Sequence, residues 1–278
     1  MLRSGDVSAL GLAASLLFVA LAVALSLRQH LGLASAMAWA SARALAQLLL
    51  VGLGLALVID PDQPLLLSWL WIAGMVVFAA VVVRQRAPEV PRLLSLAFTA
   101  FALTAAVTIG VLFGLRVFPL EARALVPLGG MVIGNSMNAS VVAVRRVVEE
   151  LRDKRPEVEA RLALGQPGRQ AAMPSIRAAL RIALTPQIET TRAVGIVFLP
   201  GAMTGLILAG VDPVDAVLVQ AVVMYMILAS AAVTTSVVAL GLTGRLFTAD
   251  HRLIDLARTG GAADPEPAGA RGARRLRR

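Results

Sequence analysis

Cysteine is absent from the 278 residues, and histidine occurs only twice. Without cysteine, the chain can form neither a disulfide framework nor a thiolate metal site. Aromatic residues make up only 4% of the chain, which argues against a membrane β-barrel with its two aromatic girdles. The chain must therefore build its fold from aliphatic residues, and any metal site from oxygen, histidine or methionine ligands.

Lysine occurs once, as Lys154, between Asp153 and Arg155. A phosphate-binding P-loop needs the sequence Gly-Lys-Ser/Thr, so that backbone amides and the lysine can hold the phosphates. No such sequence is present. This chain by itself therefore cannot be an ordinary P-loop ATPase.

Hydrophobic residues make up 58% of the chain, and the mean hydropathy is +0.79. Soluble globular proteins average roughly 45–50% apolar residues, so the excess indicates a membrane protein. The formal net charge of +9 invites a nucleic-acid interpretation. Basic residues that mark the cytoplasmic side of a membrane protein explain it better, and we expect no nucleic-acid partner.

Apolar stretches long enough to cross a bilayer recur along the chain, since a spanning helix needs about 20 such residues. We predict an all-α, polytopic transmembrane helical bundle of about seven spans, forming one permease domain over residues 1–256. The second stretch is short and can borrow length from the residues before it. The expected spans are Val7–Leu27, Ala44–Ile59, Leu65–Val83, Leu93–Leu115, Ala124–Val144, Val194–Val211 and Val214–Leu242.

Basic residues are distributed unequally between the two sides that seven alternating spans define. All of the 26 Lys and Arg residues except Arg3, Arg116 and Arg123 fall on one side. The positive-inside rule makes that side cytoplasmic. We therefore expect the N-terminus outside, the C-terminus in the cytoplasm and a multi-pass protein of the cell (inner) membrane. The basic tail 257–278, rich in Gly, Ala and Pro, is predicted to be disordered.

The fifth expected span contains an unusually polar segment, Pro127–Ser140. Hydrocarbon cannot hydrogen-bond to amides or hydroxyls, so such groups must face protein or a water-filled path. This segment is our first candidate for a translocation route. An alternative is helix packing, because Gly130, Gly134 and Asn138 recur on one helical face at a spacing that permits close approach. The candidate pathway residues are Met131, Gly134, Asn135, Met137, Asn138 and Ser140.

A second candidate is the break that Leu199–Gly205 makes in the sixth expected span. Proline removes a backbone donor and glycine loosens the chain, and broken helices often bound substrate sites in membranes. Packing competes here too, since Gly201 and Gly205 form Gly-x-x-x-Gly. The pathway candidates in this segment are Pro200, Gly201, Met203, Thr204 and Gly205.

The chemistry of any cargo stays open at this point. Asn135 and Asn138 could offer two carbonyl oxygens to a hydrated cation, whereas methionine sulfur is a soft ligand better suited to Cu(I). The metal ligands are therefore unknown. No Asp, Glu, Lys or His lies in the centre of an expected span, and His30 and His251 fall at cytoplasmic positions. Proton- or sodium-coupled carriers usually need such a group, so a self-powered carrier is disfavoured.

The polar region 145–192, between the fifth and sixth expected spans, is too long for a simple connector. It predicts a helix, a break and a second helix on the cytoplasmic side. Val147–Lys154 should continue the fifth helix, and Pro156–Gly165 should form a short helix that starts with Pro and ends with Gly. Met173–Leu184 has the pattern of an amphipathic helix. A surface helix that only tethers two spans remains an alternative.

Several motifs in this part of the chain carry a family resemblance. Glu159–Gly165 is similar to the Glu-Ala-Ala-x-x-x-Gly loop of ABC-transporter permeases, with Arg161 at the third position. Three further segments occur with it in family order: Pro127–Ser140, Leu199–Gly205 and Leu208–Pro213. Together they resemble the iron-export (Fet-type) ABC transporter permease family, which is related to plant aluminium-tolerance ABC permeases.

The resemblance implies a transport subunit and not an enzyme. ATP would be used by a separate ABC ATP-binding subunit, and this chain would bind no cofactor itself. The chain would work as a homodimer in the lipid bilayer. The resemblance also implies export of a metal ion, iron, although a nucleotide sugar is proposed for plant members. The implied ATPase-coupling residues are Glu159, Ala160, Gly165, Arg169 and Pro186.

Two other functions remain compatible with the sequence. One is a passive channel or secondary carrier for a small solute, which would move its substrate without any ATPase. The other is a non-transport membrane scaffold that recruits a cytoplasmic partner through its basic loop. A Walker-containing protein encoded beside this one would favour the ABC permease.

Overall fold

The computed structural model describes residues 9–60, 62–197, 199–248, 250, 252–254 and 256. The tail 257–278, expected to be disordered, and His251 lie outside these residues, as does Val7 at the start of the first expected span. The described chain is helical apart from turns and an isolated antiparallel bridge between Phe247 and Leu253. Its helices are α1 Ala9–Arg28, α2 Ala34–Val58, α3 Leu65–Arg86, α4 Leu93–Gly114, α5 Ala122–Asp153, α6 Arg155–Ala163, α7 Gly168–Ala193, α8 Gly201–Leu208, α9 Pro213–Gly241 and α10 Thr243–Leu246.

The described residues fall into two compact units that divide after Pro64. In the first unit, α1 and α2 pack against each other and are joined by a tight turn. His30 and Gly32 have left-handed φ angles of 51° and 70° in that turn. α2 begins at Ala34, so the second span is extended by the residues before Ala44, as the sequence predicts.

The second unit is built around α5, which packs against α3, α7 and α9, while α4 packs against α3 and α9. Small residues on α5 permit these contacts. A Cβ atom added to Gly129 would lie 2.7 Å from Cδ1 of Ile72 on α3. On the α9 side, Ser140 Oγ lies 3.4 Å from Thr235 Oγ1. Because α5 packs mainly against three neighbours, its polar groups are divided among several interfaces.

Five stretches of the described helices are long and apolar enough to cross a membrane: α2, α3, α4, α5 and the region Pro213–Leu246. The outward faces of α3 and α4 carry exposed Leu, Val, Phe and Trp side chains, including Leu70, Phe78, Phe98 and Leu103. A contiguous apolar surface of this kind is what contact with lipid requires. The all-helical fold expected from the sequence is therefore present, with five of the about seven expected spans long and apolar enough to cross a membrane.

The sixth expected span, Val194–Val211, is not one continuous helix. α7 ends at Ala193, and the eight residues of α8 span about 12 Å at 1.5 Å per residue, well short of the roughly 30 Å of a bilayer core. Gly195, which has a left-handed φ of 84°, closely follows the end of α7. Pro200 precedes α8 and disfavours helical backbone in the residue before it, so α7 and α8 are separate helices.

The close contact between Gly129 and Ile72 gives a test of the core. Replacing Gly129 with Leu should lower stability by roughly 1–3 kcal/mol, because the added side chain has no space. Gly110 on α4 is the matched control, since a Cβ there meets nothing within 4 Å. Thermal unfolding in detergent should show a lower Tm for Gly129→Leu than for Gly110→Leu. Equal Tm values would contradict the proposed packing of α5 on α3.

Candidate functional site

The hydroxyl groups of the fifth span lie inside the bundle. Ser136 and Ser140 are both buried, and Ser140 contacts Thr235 of α9. Thr234 beside it is also buried and donates to the Ser230 carbonyl at 2.8 Å. Hydrocarbon cannot hydrogen-bond to a hydroxyl, so hydroxyls within a membrane bond to their own helix or to a neighbouring one. Ser140, a pathway candidate from the sequence, therefore lies in the contact between α5 and α9.

Asn135 joins α5 to α7. Its Nδ2 donates to the Met131 carbonyl at 2.8 Å, and its Oδ1 accepts a hydrogen bond from Gln187 Nε2 at 3.0 Å. The side chain is half-buried. Gln187 is absent from the sequence-based candidates. A signal for it exists, because Ala179, Ala183 and Gln187 recur every four residues and so extend the buried face of α7.

Asn138 is exposed, in contrast to Asn135. Gly134 is one turn away on the same side of α5, and a Cβ atom there would meet nothing within 4 Å. A Cβ atom added to Gly130, by contrast, would lie 3.5 Å from Met75 Cε. Within one chain, the small-residue face is therefore a helix contact at Gly130 and an open surface at Gly134 and Asn138.

The candidate methionines mainly fill space between helices. Met131 and Met137 are partly buried against the core, and Met203 on α8 is buried. Among the residues that the structure describes, no group of three or more His, Cys, Asp or Glu side chains is placed to hold a metal ion.

The second group of candidates lies on α8, which packs against α9. Pro200 precedes the helix, and its carbonyl accepts hydrogen bonds from the Thr204 backbone N–H at 3.0 Å and from Thr204 Oγ1 at 3.2 Å. A Cβ at Gly201 or Gly205 would meet nothing within 4 Å. Among the described residues, the Gly-x-x-x-Gly pair thus makes no close helix contact.

The region 145–192 contains the helices that the sequence predicts, with a longer last helix. α5 continues to Asp153, α6 begins beside Pro156, and α7 extends from Gly168 to Ala193. Val158 of α6 is fully buried in the main core. A Cβ at Gly168 would lie 2.7 Å from the Phe247 ring, so the start of α7 is held closely against the segment after α10. We refer to α6 and the start of α7 as the α6–α7 hairpin.

The tip of the α6–α7 hairpin is a defined structure. Gly165 has a φ of +83°, the left-handed conformation that ends many helices. The Gly165 N–H donates to the Leu162 carbonyl and the Gln166 N–H to the Arg161 carbonyl, which together form a Schellman cap. Leu164 between these groups is 82% exposed. An apolar side chain is therefore presented to solvent by a rigid turn.

Ion pairs cover the outside of the hairpin. Glu159 Oε1 lies 2.7 Å from Arg155 Nε, one helical turn away. Lys154 Nζ lies 2.7 Å from Glu150 Oε2, and this hydrogen bond raises the pKa of the lysine. On α6, Arg155 pairs with Glu159 and Arg161 with Glu157, so Glu159 is a surface residue with a partner on its own helix.

The five expected coupling residues do not all lie together. Glu159, Ala160, Gly165 and Arg169 lie on the hairpin and are exposed. Pro186 lies about 25 Å further along α7 at 1.5 Å per residue, next to Gln187. The structure thus places Pro186 at the level of the α5 amides and Arg169 at the opposite end of α7, while Glu159, Ala160 and Gly165 lie on α6 and in the turn that follows it.

Comparison with other proteins gives the family. Residues 9–247 match the uncharacterised protein family UPF0014. Over 171 residues the chain is 39% identical to the UPF0014 membrane protein STAR2 of Oryza sativa subsp. japonica. The matched region covers 62% of the chain and 59% of the rice protein. Over 192 residues it is 31% identical to the probable iron export permease protein FetB of Escherichia coli (strain K12). This match covers 68% of the chain and 73% of FetB.

A third relative is Protein ALUMINUM SENSITIVE 3 of Arabidopsis thaliana, 35% identical over 171 residues and covered over 62% of both chains. The match thus spans less than two thirds of either plant protein. No solved structure matches the chain. Because the family match includes every helix described above, the chain belongs to the uncharacterised protein family UPF0014.

Proposed function

We propose that this chain is the membrane-spanning permease subunit of an ABC transporter and that a separate ATP-binding subunit docks on the α6–α7 hairpin. The observation that carries the proposal is the hairpin itself. It presents Leu164 on a capped, rigid turn while Val158 and Gly168 anchor it to the core. FetB, a relative, is named as a permease. The sequence contains no P-loop, which supports placing the ATPase in a separate subunit.

The structure suggests how a push on the hairpin could reach the membrane. α7 is a single helix of 26 residues, about 39 Å long, and it runs from the hairpin to Gln187. There the hydrogen bond to Asn135 connects it to α5. A rigid element that contacts a partner at one end and the transport helix at the other can convert docking motion into altered access.

For the cargo, we propose a metal ion, exported across the inner membrane. The support is the name of FetB as an iron export permease, together with the exposed amide of Asn138 beside the open surface at Gly134. Amide oxygens suit hard, hydrated cations. The N-terminus is proposed to lie outside and the hairpin in the cytoplasm, where an ATP-binding subunit can reach it. Two copies of the chain would form the transporter.

Leu164 gives the most direct test of docking. Leu164→Asp should reduce co-purification of the ATP-binding subunit at least tenfold, because a charge would enter an apolar contact. Leu31→Asp is the control, since Leu31 is also an exposed leucine in a turn between helices. The amount of ATPase recovered per permease in a pull-down measures the effect. If both variants retain the partner fully, the hairpin is not the docking site.

Glu159 tests whether α6 couples the two subunits. Glu159→Ala removes an exposed ion pair worth at most about 1 kcal/mol, so the fold should persist. We expect transport in proteoliposomes to fall several-fold while ATP hydrolysis continues. Glu149→Ala is the matched control, because Glu149 also pairs with a surface arginine, Arg146, at 3.0 Å. Equal transport by the two variants would contradict the coupling role.

Asn138 tests the cargo. Fe²⁺ should stimulate ATP hydrolysis by the reconstituted complex, and Asn138→Leu should abolish that stimulation without lowering the Tm, since the side chain is exposed. Asn135→Leu should also lower the Tm, because it leaves Gln187 without its partner. If no metal ion stimulates hydrolysis by the intact complex, the metal cargo is wrong, although the permease assignment would stand.

A further inference from the structure

Two arginines from distant parts of the chain meet where the apolar spans end. Arg92 precedes α4, and Arg245 lies in α10, just after α9. Arg245 Nε donates to the Arg92 carbonyl at 3.2 Å, which holds the two residues side by side. They face a cavity of about 500 Å³, a volume within the range of small-molecule sites. We call it the basic cavity, and its lining residues are Pro91, Arg92, Gly244 and Arg245.

The positive charge of the basic cavity has no counterion among the described residues. The segments 84–92 and 242–254 contain five described arginines and two carboxylates, and no ion pair joins any of them. The start of α7, which packs against α10, adds Arg169 and no carboxylate. The charged residues of the two segments are Arg84, Arg86, Glu89, Arg92, Arg245, Asp250 and Arg252.

The backbone at Arg92 makes this excess of positive charge locally unfavourable. Arg92 has a φ of 52°, in the left-handed region that residues other than glycine rarely adopt. It also stands at the N-terminus of α4, where no side chain caps the helix and where the helix dipole disfavours a cation. The first N–H groups of α4 have no partner within the helix. A bound anion would relieve both conditions.

The two guanidinium groups have donors to spare for such an anion. Arg245 is held in place, because its Nη1 donates to the Gly241 carbonyl at 3.3 Å while its Nε bonds to Arg92. Its Nη2 donates to no described residue, and the Arg92 side chain forms no hydrogen bond within the described chain. Guanidinium groups bind phosphate through paired hydrogen bonds. The basic cavity therefore has the chemistry of a phosphate site.

The position of the basic cavity favours a phosphate carried by a lipid. α3 ends at Arg86, α4 begins at Leu93 and the apolar region of α9 ends at Leu246, so the cavity lies at the surface of the membrane. A second cavity, of about 280 Å³, lies between α3 and α4, and its lining begins two residues after Arg92. This apolar cavity is lined by Val77, Ala80, Val81, Leu94, Ser95 and Phe98.

The apolar cavity belongs to the lipid-facing surface of the bundle. Val77, Leu94 and Phe98 are exposed, and hydrocarbon is the environment that suits them. A phospholipid whose phosphate lies at Arg92 would therefore bring its acyl chains next to an apolar hollow. A soluble phosphate, or an acidic surface of a protein partner, would leave that hollow unused.

We propose that the basic cavity binds the phosphate of an anionic phospholipid and that the apolar cavity takes one of its acyl chains. Basic pockets between membrane helices are suited to such headgroups. With the orientation proposed above, the lipid belongs to the cytoplasmic leaflet. The inference goes beyond the proposed transport function, because it requires only that α3, α4 and α9 span a membrane.

The test compares lipid binding by the full-length chain and its variants. The purified chain, stripped of lipid in detergent, is titrated with phosphatidylglycerol or with phosphatidylcholine of the same acyl chains, and bound lipid is counted by native mass spectrometry. The wild type should prefer phosphatidylglycerol. Arg92→Gln should weaken that binding roughly tenfold, because hydrogen bonds from a charged group to the phosphate are lost. Arg86→Gln, which removes the same charge outside the cavity, should bind like the wild type.

Gly244→Leu tests the basic cavity without changing its charge. A Cβ at Gly244 would meet nothing within 4 Å, so the fold should accept the side chain, which would occupy the space of the headgroup. Tm values in lipid-free detergent show that each variant is folded. Unchanged binding of phosphatidylglycerol by both Arg92→Gln and Gly244→Leu would overturn the proposal. So would an equal loss in Arg86→Gln and Arg92→Gln, since the lipid would then respond to the charge of the whole membrane face.

Two further measurements separate a lipid from other anionic ligands. Glycerol phosphate, which has no acyl chain, should not displace phosphatidylglycerol at equal concentration. Displacement would mean that the basic cavity takes a soluble phosphate, and the lipid proposal would be wrong. Arg92→Gln should still co-purify with the ATP-binding subunit. If it loses the subunit and keeps phosphatidylglycerol, the cavity is a protein contact and the lipid site does not exist.

These outcomes are distinct from those of the docking test at Leu164. If Leu164→Asp keeps the ATP-binding subunit while lipid binding depends on Arg92, the docking assignment fails and the lipid site stands. If Leu164→Asp loses the subunit while Arg92→Gln binds phosphatidylglycerol like the wild type, the docking site stands and the lipid site fails.

Discussion

Hydrocarbon offers no hydrogen bonds, and this constraint determines where each polar side chain of the bundle can lie. α5 meets it in three ways. Ser140 is buried against α9, Asn135 bonds to Gln187 of α7, and Asn138 stays on an open surface. The Gln187 bond matters most, because it sets the position of α7 along α5. The depth of every residue on α7 follows from it.

The same bond gives the fold a mechanical connection. The α6–α7 hairpin is fixed by a Schellman cap at Gly165 and by the close contact of Gly168 with Phe247. From there α7 continues without interruption to Gln187. α7 thus connects the α6–α7 hairpin, a surface suited to a protein partner, with the level of the membrane domain at which Asn135 lies.

Much of this arrangement could be predicted from sequence. Pro156 and Gly165 marked the ends of α6 because proline and glycine have specific backbone preferences. The apolar runs predicted α3, α4 and α9. The sequence predicted a break at Leu199–Gly205 in the sixth expected span, and α7 and α8 are indeed separate helices, but it did not predict that residues 194–197 before the break are non-helical. It also missed Gln187, since periodicity shows which face of α7 is buried but not which helix covers it.

The central claim is that α7 carries motion from a docked ATP-binding subunit to Asn135. Its most direct test is a pair of cryo-electron microscopy structures of the complete complex, without nucleotide and with a non-hydrolysable ATP analogue. The account predicts that the ATP-binding subunit contacts Leu164 and that α6 and α7 move as one body, displacing Gln187 relative to its nucleotide-free position. A subunit seated elsewhere, or an α7 that stays fixed between the two states, would contradict it.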